Sequence, residues 1–164
     1  KVCLADGIEL VNVVRRPEQA ELLRGLGARW VCDSSQPSFR EDLTDAIAAT
    51  GATIAFDAIG GGEMAGTLLS CMEKVAGEGD QFSRYGSNTH KQVYIYGGLD
   101  RGPTLLKRNF GFSWGLGGWL LTPFLRRTAS RAWPAPTVWP CRPASALSRP
   151  PHGRTVCWQS RLNR

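Results

Sequence analysis

Residues 9–62 alternate short apolar runs with amphipathic stretches of about ten residues, and that alternation confines the chain to an α/β fold. The runs at 9–14, 28–32 and 52–58 read as strands. The stretches at 18–26 and 39–49 read as helices. Pro17 suits the first turn of a helix, where its missing N–H would be unpaired anyway. Gly27 and Gly51 stop the two helices, and Ser38 with Glu41 has capping-box spacing. The pattern continues with a helix over 63–75, a polar Gly-rich loop over 77–91, a strand over 92–96 and an apolar, Gly-interrupted segment over 110–125 that ends as a helix from Trp119. Strands separated by helices of this length imply right-handed βαβ crossovers, hence a doubly wound parallel sheet with helices on both faces.

Charge divides the chain near residue 125. Residues 1–125 hold 12 basic and 14 acidic side chains, whereas residues 126–164 hold eight Arg, no Lys and no acid. The second segment also carries six of the ten prolines and three of the six tryptophans, with neither helical nor strand periodicity. The sequence therefore predicts a partial dinucleotide-binding domain over 1–125 and a disordered basic tail over 126–164. A tail of Arg, Pro, Ala, Ser, Trp and Cys without Lys or acid has the composition of out-of-frame translation of a GC-rich gene, and the chain reads as a truncated product. A second reading makes the tail an arm for nucleic acid or an anionic membrane, since Arg neutralises phosphates and Trp stacks on bases or sits at a lipid interface. That would make the chain a non-enzymatic binding protein.

Five scattered cysteines without a C-x-x-C pair argue against a disulfide framework or a structural zinc site, and point to the cytoplasm. No apolar run approaches the roughly 20 residues of a membrane span, so the chain reads as soluble, with no membrane partner expected. His90 and His152 lack partners for metal binding or catalysis, and Tyr85 lies in a surface loop.

Arg15 and Arg16 close the first predicted strand. In nucleotide-binding sheets the residue at this position lies beside the adenosine ribose, where a carboxylate selects NAD and an Arg accommodates the 2′-phosphate of NADP. Two guanidinium groups and no carboxylate favour NADP(H), against the alternative of plain solvated charges. Ser34, one strand over, is placed either to add a hydroxyl to the same phosphate or to cap a turn. Gly60, Gly62 and Ala65 match the G-x-G-x-x-A phosphate fingerprint formally, but the acid expected about 20 residues later is missing from a strand end, so a tight turn in a later βα unit is the better reading. Tyr96, Gly97 and Gly98 end a strand at the ligand-binding edge, where side-chain-free backbone lets a ribose approach or simply makes a turn.

The runs NVVRRPEQAELLRGLGARWV, TIAFDAIGGG and QVYIYGGL together resemble the medium-chain dehydrogenase/reductase superfamily, often called zinc-binding dehydrogenases, and within it the zinc-independent quinone oxidoreductase and enoyl reductase branch. The resemblance covers about residues 1–125. It implies an NADP(H)-dependent oxidoreductase that passes hydride to a quinone, enone or enoyl thioester, with a small-molecule substrate, and it leaves a homo-oligomer open for the intact family member. It also implies that Arg15 and Arg16 read the 2′-phosphate, that Ile59 and Gly60 lie near the adenosine, and that Tyr96, Gly97 and Gly98 flank the nicotinamide. The family's catalytic domain, its first Rossmann strand and its Gly-rich pyrophosphate turn have no counterpart here, so no catalytic residue is assigned. In strand order 3-2-1-4-5-6 the missing strand is central, which leaves two rows of backbone groups unpaired or forced together.

Overall fold

The structure, a computed structural model, describes residues 2–78, 83–129 and 154–158. The predicted alternation is present: α1 (Val2–Ala5), β1 (Leu10–Val14), α2 (Pro17–Gly25), β2 (Trp30–Asp33), α3 (Phe39–Thr50), β3 (Ala52–Asp57), α4 (Met64–Gly77) and β4 (Lys91–Ile95). β5 (Trp114–Gly118), α5 (Leu121–Ala129) and β6 (Arg154–Trp158) complete it. Pro17 starts α2 behind an extended Arg16, and Gly51, at φ 65°, closes α3 through its N–H to Ile47 O. The capping box is not formed. Ser38 has helical backbone angles because a turn over 36–39 already leads into the helix, and its hydroxyl bonds the Asp42 carboxylate at 2.9 Å instead.

One six-stranded parallel sheet runs in the order β2-β1-β6-β3-β4-β5. The central position, expected to be empty, is filled by β6 from the segment assigned to a disordered tail. β6 pairs with β1 from Leu10↔Thr155 to Val13↔Trp158 and with β3 from Ala52↔Arg154 to Phe56↔Cys157, with a register shift between Ala52 and Ile54. The physical reason is the one that made a gap untenable: buried backbone N–H and C=O groups require partners, and T-V-C-W is a run of β-favouring residues able to supply them. The expectation of disorder for 130–153 and 159–164 lies outside the described residues.

Right-handed crossovers in opposite directions put α2 on one face of the sheet and α3 with α4 on the other. The core lies beneath α3 and α4, where Leu43, Ile47, Leu68, Leu69 and Met72 meet Val11, Val13, Ala55 and Val93. The return from β4 to β5 carries no helix. Residues 99–113 instead run alongside α4, pairing Leu105 N–H with Gly62 O, Lys107 with Glu63 at 3.1 Å and Asn109 with Ser70 at 2.5 Å. A side chain at Gly66 would press on the Leu105 carbonyl, so the close approach depends on glycine.

Candidate cofactor edge

Because every strand is parallel, all six C-terminal ends meet one edge of the sheet, where ligands of open α/β folds bind. Three groups of predicted residues reach it. Arg15 and Arg16 leave β1; Ser34 leaves β2, its N–H bonded to Val14 O at 2.7 Å. Ile59 and Gly60 turn out of β3, and Tyr96, Gly97 and Gly98 turn out of β4.

Arg15 and Arg16 are exposed, and neither has an acidic partner within ion-pair distance among the described residues. The Arg15 N–H is held by Gln19 Oε1 at 3.3 Å, which fixes the backbone and leaves the guanidinium free to swing. The neighbouring hydroxyls divide. Ser35 bonds Asp33 Oδ1 with both its N–H (2.9 Å) and its Oγ (2.8 Å), while among the described residues no side-chain bond engages Ser34. Partial burial acts to raise the Asp33 carboxyl, but the Ser35 bonds together with the Gln36 side chain and the Arg24 charge outweigh it and hold that carboxyl below its ordinary value.

The turns after β3 and β4 are locked together. A Cβ at Gly97 would collide with the Ala58 carbonyl, and one at Gly60 (φ 86°) would sit 3.0 Å from the Gly97 carbonyl. Gly97 is therefore required by turn packing, whereas Gly98 has open space around it. Tyr96 sends its N–H to Asp57 O at 2.9 Å and meets Phe56 edge-on at 6.4 Å.

Gly60-Gly61-Gly62 does not form a phosphate cradle. The Gly60 N–H is taken by Asp57 Oδ1 (3.3 Å) and the Gly62 N–H by Pro103 O (3.0 Å), and the Asp100 carboxylate lies over Gly61. A phosphate there would meet satisfied donors and a negative charge. Among the described residues, the Gly60–Gly62 turn is thus unsuited to a pyrophosphate, while Arg15 and Arg16 bring two guanidinium groups without acidic partners to the same edge. A hollow of about 110 Å³ lined by Ile8, Leu10, Leu23, Leu26 and Trp30 lies by the start of β1, at the opposite edge, and is well below the roughly 300–1,000 Å³ of ligand pockets.

Sequence reading missed Asp57. It is fully buried; Oδ1 accepts the Ile59 N–H at 2.8 Å as well as that of Gly60, while Oδ2 has no partner among the described residues. Burial pushes its carboxyl up, only partly opposed by those two N–H groups. A raised folded-state value means that Asp57 contributes stability at low pH which is lost as pH rises through that value. Asp57→Asn keeps the accepting oxygen and removes the ionisation, so wild type and variant should melt alike below pH 3.8, the ordinary value, and the variant should gain between there and the raised folded-state value and hold that gain above it. Thermal melts across that pH range check this; a gap independent of pH would contradict it. The signal available in the sequence was a lone acid inside the apolar run TIAFDAI.

A solved structure from Mesorhizobium loti, provisionally described as an NADPH:quinone reductase, superposes with a TM-score of 0.56 at 20% identity, over 79% of this chain and 41% of that one. The fold is Rossmann-like. The chain spans less than half of that neighbour's length. No family model matches the sequence, and no curated protein matches it. Among the described residues no helix is long and apolar enough to cross a membrane, and no three His, Cys, Asp or Glu side chains gather as metal ligands.

Proposed function

We propose that this chain is the cofactor-side portion of an NADP(H)-dependent oxidoreductase of the quinone or enoyl reductase type, a reading that the fold and the neighbour's description support. The observation that carries it is the unpaired Arg15-Arg16 at the end of the strand beside the sheet's centre. Bound NADPH would supply hydride for a quinone, enone or enoyl thioester. This chain's own residues bind and orient: Arg15 and Arg16 grip the 2′-phosphate, Ser34 adds a hydroxyl, and Ile59 and Gly60 face the adenosine. Tyr96 and Gly98 lie on the nicotinamide side. With no pyrophosphate cradle among the described residues, affinity should be no better than about millimolar.

The test separates the 2′-phosphate from the rest of the ligand. Charge-assisted bonds are worth roughly 1.5–3 kcal/mol each, so adenosine 2′,5′-bisphosphate should bind at least about tenfold more tightly than adenosine 5′-monophosphate. The double substitution Arg15→Ala, Arg16→Ala should abolish that preference while leaving the melting temperature within a degree or two, as expected of exposed side chains. Equal affinity for the two nucleotides in titration calorimetry would remove the assignment.

A further inference from the structure

Asp57 ends β3 where the chain enters the turn of Ile59 and Gly60. Its side chain is fully buried, and its Oδ1 accepts the N–H groups of Ile59 at 2.8 Å and Gly60 at 3.3 Å. Its backbone carbonyl accepts the Tyr96 N–H at 2.9 Å, in the turn that leaves β4. One residue therefore holds both turns, the first by its side chain and the second by its backbone. The carbonyls of the first turn are tied from the other side, Ile59 O by the Asp100 N–H at 3.0 Å and Gly60 O by the Thr104 hydroxyl at 2.5 Å. Among the described residues, the acceptor for both N–H groups is Asp57. Ile59 packs partly on the core and keeps part of its side chain exposed beyond the end of β3, so its direction follows from the peptide planes that Asp57 fixes.

We propose that Asp57 is the positioning residue of the adenosine subsite, setting Ile59 and Gly60 against the nucleotide from behind the turn without touching the ligand itself; this rests on the cofactor reading of the edge. Removing the carboxyl oxygens leaves two N–H groups without their acceptor, and Gly60, at φ 86°, has the backbone freedom to leave that conformation. A site that is formed only part of the time loses affinity in proportion to that fraction. The loss falls on the adenosine part of the ligand whether or not a 2′-phosphate is attached. Arg15 and Arg16 leave a different strand and share no hydrogen bond with this turn among the described residues, so discrimination by the 2′-phosphate stays with them.

The full-length wild type, Asp57→Ala and Asp57→Asn are titrated with adenosine 5′-monophosphate and with adenosine 2′,5′-bisphosphate, followed by amide NMR well below each melting temperature. Asp57→Ala should weaken both nucleotides by about fivefold or more with the ratio between them unchanged, and Asp57→Asn, which keeps the accepting oxygen, should hold both within about twofold of wild type. A residue that served stability alone would lower the melting temperature and leave both affinities where they were. If Asp57→Ala does not fold, wild type and Asp57→Asn decide: bound nucleotide should shift the Ile59 and Gly60 amides and slow their hydrogen exchange, because a ligand that needs the turn stabilises it. Unchanged affinities in Asp57→Ala, equal weakening by alanine and asparagine, a changed ratio between the nucleotides, or Ile59 and Gly60 amides indifferent to bound nucleotide overturn the proposal and leave the cofactor reading standing. Absence of binding by the wild type removes that reading and the proposal with it.

Discussion

Replacing Lys91 with methionine should lower stability by about 3–5 kcal/mol, the usual cost of removing one partner from a buried ion pair. Lys91 is fully buried at the start of β4, and its ammonium uses all three protons: on Glu73 Oε2, on Ser87 Oγ at 3.0 Å and on Thr89 O at 2.9 Å. Glu73, projecting from α4, also accepts the Ser87 N–H and Oγ, each at 2.7 Å. Gly86 and Gly111 pack so closely on that carboxylate that a side chain at either would strike it. Methionine preserves the stem's volume and removes the charge with its three hydrogen bonds, leaving Glu73 with a side chain 13% exposed and no counter-ion among the described residues. For a chain of this length the melting temperature should fall on the order of 10 °C.

The same substitution carries a pH signature. Burial acts to raise the Glu73 carboxyl, but its bonds to Lys91 and Ser87 outweigh that and hold it below its ordinary value. A lowered folded-state value contributes stability that is present above the ordinary 4.5 and is lost as pH falls through the folded value. Methionine at 91 removes the largest of the lowering causes, so the deficit of the variant should be full at neutral pH and shrink below 4.5. A deficit of equal size at both ends of the range would show that packing rather than charge is what Lys91 supplies.

What could be read from the sequence was what local pattern encodes. The alternation of apolar runs and amphipathic stretches located β1 to β4 and α2 to α4 within a residue or two, because proline and glycine mark those ends by backbone geometry alone. The Gly60-Gly62 turn was recognisable as something other than a cradle by the missing acid, although its cover by Asp100 and Pro103 depends on a segment 40 residues away. Asp57, Lys91 and Glu73 were not legible, since each takes its meaning from burial that only tertiary packing creates. Ser38 obeyed the spacing of a capping box but not its backbone angles. β6 was lost for a different reason. Its five residues were averaged into a 39-residue segment dominated by arginine and proline, and the need for a central strand was visible while the segment that meets it was not. Arg15, Arg16 and Ser34 share the C-terminal edge with Ile59, Gly60, Tyr96, Gly97 and Gly98 as expected, but β6 stands between the two sets, so two strand spacings of about 4.8 Å separate them.

That position of β6 makes Val156→Pro a change that should break the sheet at its centre. Val156 pairs with Val11 on one side and Ala55 on the other, in the middle of both ladders, where proline removes a donor and its ring excludes a neighbouring strand. Once β6 leaves, Leu10–Val13 and Ala52–Phe56 lose their shared partner, and water reaches a region whose neighbours Val11, Val13 and Ala55 are fully buried. Each buried backbone group left unpaired costs about 1–3 kcal/mol, and a handful of them equals the 5–15 kcal/mol of a typical domain. The variant should therefore show no cooperative thermal transition, and amide exchange at Val11, Val13 and Ala55 should accelerate to that of an open chain. If the variant melts cooperatively with those amides still protected, β1 and β3 pair without β6, and the strand from the C-terminal segment is not what closes this sheet.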